Sequence, residues 1–295
     1  MGRHPRHVAR AVLLSMRPRQ WTKNLLLFAP LIFAARFTDP TAIGRALAGF
    51  GLFCLISGAV YLVNDVRDIE SDRLHEGKRG RPIASGIVSA KAAAGVAIAL
   101  AVPALAGSFA LSSQFGLAAS AYLGLQLVYT FLLKERVILD VMAISAGFVL
   151  RAVAGAFAID VVFSPWLLVC TALLALFLAL GKRRHELVQS EAGAARHRRS
   201  PTDYSPQLID QLTSAVTSAT IVTYALYTFF SPTSQRHQYL MLTVPFVVYG
   251  LFRYLYLVHQ KHLGGNPEEI LLSDMPLIVD IVLFLAVAVA AVSIK

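Results

Sequence analysis

The chain has 295 residues and a formal net charge of +10, and 56% of its residues are hydrophobic whereas only 15% are charged. Soluble domains carry about 25% charged residues, so this composition excludes an ordinary soluble fold. Uncharged runs of about 18 residues or more, long enough to cross a bilayer, recur along the sequence. The composition therefore predicts an all-α polytopic membrane protein whose residues 1–295 form a single membrane domain.

The first 20 residues are basic and predict an interfacial N-terminal segment rather than a cleaved signal, because their apolar stretch is short. Beyond them, apolar runs of about 20 residues predict nine membrane-spanning helices. The uncharged run from Ala92 to Leu133 is long enough for two of these, with a polar turn of glycine and serine between them. The predicted spans cover 22–38, 46–64, 90–108, 114–133, 137–159, 164–181, 212–230, 238–258 and 276–294.

Lysine and arginine fall mostly on one side of this predicted topology, in the N-terminal segment and in the loops after even-numbered spans. Positively charged loops remain in the cytoplasm, so that side is predicted to face inward. The loops 65–90 and 182–211 would then be cytoplasmic and carry the active site. Topology and attraction to anionic membrane lipid explain the excess positive charge, and no nucleic-acid partner is predicted.

Acidic residues cluster at the end of the second predicted span, where the sequence has Asn64 followed by Asp65, Asp68 and Asp72. On a continuous helix these three aspartates share one face. Carboxylates so close repel each other unless a cation lies among them, and hard oxygen ligands suit Mg²⁺ bound through a phosphate. The pattern predicts a metal-diphosphate site, and the adjoining basic loop would hold the remaining phosphate oxygens. The basic residues of this loop are Lys78, Arg79 and Arg81.

Further polar residues lie at the same predicted face. Lys182, Arg183 and Glu186 follow the sixth span and precede Tyr204, while Tyr129, Lys134 and Asp140 flank the loop after the fourth. Lys23 and Asn24 begin the first span. Charged residues inside a bilayer are costly, so Arg151, on the same face of the fifth span as Asp140, is predicted to point into a polar cavity. Arg253 and Asp280 are predicted to be structural, either snorkelling or pairing with each other.

These motifs resemble those of the UbiA-type intramembrane prenyltransferases, nine-helix bundles with a cytoplasm-facing cavity, and the resemblance extends over nearly the whole chain. Narrower similarity, in segments 17–24, 61–68, 78–83 and 181–187, is to the family branch that acts on decaprenyl phosphate. It implies Mg²⁺-dependent transfer of 5-phosphoribose from phosphoribosyl diphosphate (PRPP) to decaprenyl phosphate. Diphosphate is released, and the product supplies cell-wall arabinan (arabinogalactan) at a bacterial plasma membrane.

The resemblance also implies roles for residues. Asp65, Asp68 and Asp72 would be the catalytic, metal-binding set. The substrate-binding set would be Lys23, Asn24, Asn64, Arg73, Lys78, Arg79, Arg81, Tyr129, Lys134, Asp140, Arg151, Lys182, Arg183, Glu186 and Tyr204. One departure supports the narrower branch: family members that ionise a prenyl diphosphate carry a second aspartate-rich motif after the sixth span, where this chain has Lys182, Arg183 and Glu186.

Two other functions remain open at this point. One is a UbiA-type enzyme with a prenyl diphosphate donor and an aromatic acceptor. The other is a lipid-phosphate transporter or flippase, in which Asp140 and Arg151 would be translocation residues. The sequence also leaves open the acceptor's isoprenoid length, the number of metal ions and a homo-oligomeric assembly.

Overall fold

A computed structural model gives the structure of the protein and describes residues 5–162, 164–189, 204–261, 263, 265 and 267–293. Every regular element in these ranges is helical. The α-helices are α1 (Pro5–Ser15), α2 (Ala29–Phe33), α3 (Pro40–Arg67), α4 (Ile69–Leu74), α5 (Ala90–Leu111), α6 (Ser113–Val128), α7 (Leu139–Ala158), α8 (Pro165–Gln189), α9 (Pro206–Phe230), α10 (Pro232–Arg236), α11 (Val244–Gln260), α12 (Pro267–Ser273) and α13 (Met275–Ser293). Pro18–Phe28 and Gln238–Thr243 are 3₁₀-helical, and Tyr129–Leu133 forms a π-helical turn.

Within the described residues, seven helices are long and apolar enough to cross a membrane. They correspond to seven of the nine predicted spans and cover Pro40–Arg67, Ala90–Leu111, Ser113–Leu133, Leu139–Ala158, Pro165–Val188, Gln238–Gln260 and Met275–Ser293. This confirms the prediction of an all-α, multi-pass membrane protein.

The other two predicted spans have a different character. Residues 22–38 do not form one long helix, because the chain is 3₁₀-helical over Pro18–Phe28 and then forms only the five-residue α2. Residues 212–230 lie within the 25-residue α9. That helix is long enough to cross a bilayer but is not among the seven, since serine and threonine recur along it.

Side-chain caps set the starts of several helices. The Asp39 carboxylate accepts the Thr41 N–H at 2.9 Å, and Pro40 occupies the first turn of α3, where its missing N–H costs nothing. The Ser112 hydroxyl accepts the Phe115 N–H at 3.0 Å. The predicted polar turn within the uncharged run is therefore confirmed between α5 and α6.

Helix α3 is the centre of the N-terminal half and packs against α5, α6, α7 and the 3₁₀-helical segment. The Phe53 ring, fully buried, lies 5.6 Å from the Phe115 ring and 5.2 Å from the Tyr122 ring. Gly155 of α7 permits the closest approach, since a Cβ there would lie 2.3 Å from the Leu27 carbonyl oxygen. The backbone of the 3₁₀-helical segment therefore rests directly on α7.

In the C-terminal half, α8 packs against α9, and α11 packs against α13. The proposed partnership of Arg253 with Asp280 is wrong, because Arg253 forms two hydrogen bonds with Asp274, at 3.1 and 2.8 Å. Asp274 precedes α13 and reaches Arg253 from outside the span. The paired guanidinium lowers the pKa of the Asp274 carboxyl below its ordinary value.

Candidate active site

The three aspartates lie where α3 ends. Asp65 occupies the last turn of α3, Asp68 caps that helix, and Asp72 belongs to α4. Because the helix is interrupted at Asp68, the three do not share one continuous helical face as predicted. Asp65 and Asp72 are each only 3% exposed, whereas Asp68 is half-buried. Two buried carboxylates at a helix end require compensating positive charge.

Three basic residues from different segments supply that charge. The Arg81 Nη1 atom lies 2.6 Å from Asp72 Oδ2 and 3.4 Å from Asp65 Oδ1, so one guanidinium bridges two aspartates. Arg17 forms an ion pair with Asp65, and Lys134 forms one with Asp68. Each aspartate therefore has a cationic partner. Arg81 comes from the basic loop that was predicted to adjoin the aspartates, whereas Lys134 was predicted only to lie at the same membrane face.

Arg17 belongs to the candidate site, through its ion pair with Asp65, but was not predicted, because its basic surroundings were interpreted as an interfacial anchor. It lies between α1 and the 3₁₀-helical segment in a left-handed conformation with φ 53°. A positive φ is uncommon for a residue other than glycine. The guanidinium stacks 4.9 Å from the centroid of the Tyr61 ring. The sequence feature that could have identified Arg17 is the segment 17–24, which is one of the segments on which the family resemblance rested.

The loop after α4 presents Arg81 through a set of turns. Arg73 does not turn its Nε toward the aspartates but donates to the Ala84 carbonyl at 2.9 Å, which fastens the loop to α4. Buried Ile83 anchors the loop. Lys78 is half-buried, and the exposed Arg79 makes no ion pair with an aspartate among the described residues. From this loop, Arg81 contacts Asp65 and Asp72 directly.

Asn64 precedes the aspartates and faces α6. The Thr130 hydroxyl is within hydrogen-bonding reach of the Asn64 side-chain oxygen and of the Gln126 carbonyl. Thr130 lies in the π-helical turn, beside Tyr129. The π-helical turn therefore links the aspartate cluster to a second group of polar residues around Arg183.

That second corner is organised by Arg183 of α8. Arg183 Nε lies 2.6 Å from Asp140 Oδ2, its Nη1 pairs with Glu186, and Tyr129 lies near the same guanidinium. The Tyr204 hydroxyl donates to Asp140 at 2.9 Å and accepts the Ile138 N–H at 2.6 Å. The structure thus brings these predicted residues together.

The segment 182–211 is not simply a loop as predicted. Residues 182–189 extend α8, residues 206–211 begin α9, and residues 190–203 lie outside the described part of the chain. Lys182 is half-buried near the end of α8. Burial raises the pKa of Tyr204 to about 12, so its phenol stays protonated and remains a donor to Asp140.

Arg151 lies deeper and does not join either corner. It is 4% exposed and donates to Asn24 Oδ1 at 2.8 Å, to the Gly147 carbonyl at 2.9 Å and to the Tyr122 hydroxyl at 2.7 Å. These neutral acceptors satisfy the buried guanidinium. Arg151 therefore holds the 3₁₀-helical segment, on which Asn24 and the half-buried Lys23 lie, against α6 and α7.

Among the described residues, no three acidic, histidine or cysteine side chains are close enough to hold a metal ion by themselves. Mg²⁺ needs no such cage, because it is usually bound by one or two carboxylates together with substrate phosphates. Asp65 and Asp72 meet at the Arg81 nitrogen, so a cation already lies between two carboxylates. This donor set fits a Mg²⁺ ion shared with a diphosphate.

The family model described as "UbiA prenyltransferase family" matches residues 25–268, which include the three aspartates and the residues around Arg183. The chain belongs to this family. A relative from Corynebacterium glutamicum, named decaprenyl-phosphate phosphoribosyltransferase, is 37% identical over 92% of this chain and 83% of its own. The relative of the same name from Mycobacterium tuberculosis is 34% identical over 98% of this chain and 96% of its own.

The UbiA fold is equally evident in three dimensions. A UbiA homologue from Archaeoglobus fulgidus, solved bound to DMAPP and Mg²⁺, superposes with a TM-score of 0.74 and 19% identity over 96% of this chain and 99% of that one. The similarity at this identity concerns the fold. The two relatives named as phosphoribosyltransferases identify this UbiA-family chain, with its apolar spans, as a membrane-embedded transferase.

Proposed function

We propose that this protein transfers 5-phosphoribose from PRPP to decaprenyl phosphate and releases diphosphate. The observation that carries the proposal is the neutralised aspartate cluster, in which cations from three segments pair with three aspartates. Such a cluster can exchange its internal partners for a metal and a highly charged phosphate donor. The names of the two relatives support decaprenyl phosphate as the acceptor.

Binding of the donor would redistribute these ion pairs. Asp65 and Asp72, with Asp68 beside them, would hold Mg²⁺, which when bound neutralises charge on the departing diphosphate. Arg17, Arg81 and Lys134 would turn from their carboxylates to the phosphate oxygens. Because guanidinium groups bind phosphate in a bidentate manner, the two arginines suit the diphosphate.

The second corner would bind the sugar end of the donor. PRPP carries a 5-phosphate as well as its diphosphate, and Arg183 with Lys182 provides positive charge where other family members have acidic residues. Asn64 and Tyr129 would orient donor oxygens. Tyr204 and Asp140 fix the Arg183 guanidinium, since Asp140 accepts from both.

The acceptor requires little activation. A phosphate monoester is already mostly dianionic near neutral pH, since its second pKa is about 6, so an acceptor oxygen can attack ribose C1 without a strong general base. As diphosphate leaves, the guanidinium and ammonium groups of the cluster hold its developing charge. The apolar helices would accommodate the isoprenoid chain.

The proposal includes a location and a product fate. The one-sided distribution of lysine and arginine supports a bacterial plasma membrane protein whose active site faces the cytoplasm. The product would feed synthesis of cell-wall arabinan. Apolar outer faces such as those of α5 and α13 leave room for a homo-oligomer.

Transfer of label from ¹⁴C-labelled PRPP into organic-extractable lipid tests the function. Purified protein in detergent receives decaprenyl phosphate with Mg²⁺ or with EDTA, and Asp68→Ala is compared with wild type. We expect Mg²⁺-dependent labelling that the substitution abolishes. A folded preparation that ignores PRPP but prenylates an aromatic acceptor from a prenyl diphosphate would refute the proposal and favour the other branch of the family.

A further inference from the structure

A polar pocket lies beside the aspartate cluster, and Lys134 borders both. It has a volume of about 340 Å³ and is formed by the end of α3 and the corner that follows the π-helical turn. Its walls are Arg67, Phe131, Leu132, Lys134, Glu135 and Arg136. Three cationic side chains and one carboxylate give it a net positive charge, and its other walls are apolar.

The Arg67 guanidinium is incompletely bonded. Its Nη2 atom lies 3.9 Å from Glu135, whose side chain is 81% exposed, so this ion pair is weak. Its Nη1 atom is buried and has no hydrogen-bond partner among the described residues. An unsatisfied guanidinium favours a bidentate anion, and a phosphate could displace Glu135 at little cost.

The rim of the pocket is suited to a lipid. Phe131 and Leu132 are 52% and 67% exposed and lie at the end of the apolar span Ser113–Leu133. Arg67 lies over the Phe131 ring, 5.6 Å from its centroid. A free phosphate ion would gain nothing from these side chains, whereas a lipid phosphate would place its headgroup in the pocket and its chain on the rim.

We infer that this pocket binds the phosphate group of a polyprenyl phosphate, which is the acceptor in the proposed function on which the inference rests. Lys134 connects the two sites, because it lines the pocket and pairs with Asp68. An acceptor phosphate held here lies one side chain away from the proposed donor site. Arg67 and Arg136 are then acceptor-binding residues, and Lys134 is shared between acceptor and donor.

Equilibrium binding of ³H-labelled decaprenyl phosphate to the full-length protein in detergent, without PRPP, tests the inference. Arg67→Gln and Arg136→Gln remove pocket cations, Arg67→Lys retains charge without the bidentate fork, and Lys91→Gln removes an exposed cation outside both sites. Unlabelled decaprenol and phosphatidylglycerol serve as competitors. Size-exclusion profiles and thermal unfolding verify the fold, and Arg136→Gln carries the test if Arg67→Gln does not fold.

We expect Arg67→Gln to weaken binding about tenfold or more, the effect of losing a charge-assisted hydrogen bond. Arg67→Lys should lie between Arg67→Gln and wild type, Lys91→Gln should match wild type, and neither competitor should displace the ligand at equal concentration. In steady-state rate measurements, Arg67→Gln should then show a higher KM for decaprenyl phosphate and an unchanged KM for PRPP.

Two results would overturn the inference. The first is that folded Arg67→Gln and Arg136→Gln bind decaprenyl phosphate as tightly as the wild-type protein does. The second is that phosphatidylglycerol displaces the labelled ligand as effectively as unlabelled decaprenyl phosphate does, which would indicate a general anionic-lipid surface. Failure of the proposed function gives a different pattern. The wild-type protein would then not transfer phosphoribose, yet Arg67→Gln would still weaken binding of decaprenyl phosphate, and the pocket would stand.

Discussion

Arg17 forms an ion pair with Asp65, although the two are 48 residues apart in the chain. The pair joins the basic N-terminal segment to the last turn of α3, and Tyr61, one turn earlier in α3, stacks against the same guanidinium. Asp65 also contacts Arg81 from the loop after α4. One buried carboxylate therefore holds together two segments that hydropathy places at the membrane surface.

Replacement of Arg17 by glutamine should raise the KM for PRPP by about tenfold or more, because the donor would lose a charge-assisted hydrogen bond to a phosphate oxygen. Initial rates at varied PRPP concentration measure the effect. Arg19→Gln is the matched control, since it removes an exposed cation two residues away. Equal KM values for the two variants would show that Arg17 has no part in donor binding.

Asp65→Asn should raise the Mg²⁺ concentration needed for half-maximal rate, because it removes one negative oxygen ligand and leaves Arg17 and Arg81 less fully paired. A titration of rate against free Mg²⁺ at saturating PRPP measures the shift. Asp39→Asn is the control: it removes a carboxylate from the other end of α3, while asparagine still caps the helix. An unchanged Mg²⁺ dependence in Asp65→Asn would exclude Asp65 as a ligand.

A role for the aspartates in binding a metal and a diphosphate was predictable, because their spacing alone indicates it. The basic residues that pair with them were not predictable. Lys134 lies 66 residues from Asp68. Nothing local in the sequence indicates that the end of α3 will contact the loop that follows α6 and its π-helical turn. The residues around Arg183 were predicted only to lie at the same membrane face, in two separate corners, because the loops that carry them follow even-numbered spans. That inference used topology rather than contacts.

The first predicted span shows the limit of hydropathy. Residues 22–38 are apolar enough to suggest a helix, but Asn24 is fully buried and accepts from Arg151. The 3₁₀ conformation over Pro18–Phe28 lets Asn24 reach Arg151 and lets Leu27 rest on Gly155. Tertiary packing therefore overrides the helical tendency of the apolar run. A buried guanidinium without hydrogen-bond acceptors would cost more free energy than the loss of α-helical structure in this short segment.

Tyr204→Phe should loosen the corner before α7. The substitution keeps the ring but removes the hydroxyl that accepts the Ile138 N–H and donates to the buried Asp140 carboxylate. Ile138 has a φ of 69°, rare for a β-branched residue, so this corner depends on its hydrogen bonds. Hydrogen exchange of the Ile138 amide should accelerate, whereas Tyr239→Phe, at an exposed tyrosine, should leave it unchanged. Equal exchange in both variants would contradict the assignment.

The pair Arg253–Asp274 predicts an acid-sensitive link between α11 and the start of α13. The pKa of Asp274 is lowered in the folded protein, so the folded state favours the ionised form. The stabilisation is present above the ordinary carboxyl pKa of about 4 and is lost as pH falls through the lowered folded value. Thermal unfolding in detergent at pH 7 and pH 3 should show that Asp274→Asn costs stability at the higher pH and less at the lower one. A penalty of the same size at both pH values would argue against the ion pair.

Arg151→Lys should destabilise the N-terminal half and impair catalysis indirectly. A lysine ammonium cannot reproduce the planar fork that reaches Asn24, Gly147 and Tyr122 together, and buried acceptors left without donors cost about 1 to 3 kcal/mol each. Because Asn24 lies on the 3₁₀-helical segment that Arg17 immediately precedes, release of this segment should also displace Arg17 from Asp65. We expect a lower unfolding temperature in detergent and a raised KM for PRPP, both absent in Arg236→Lys. A variant with normal stability but abolished turnover would instead place Arg151 in direct contact with substrate.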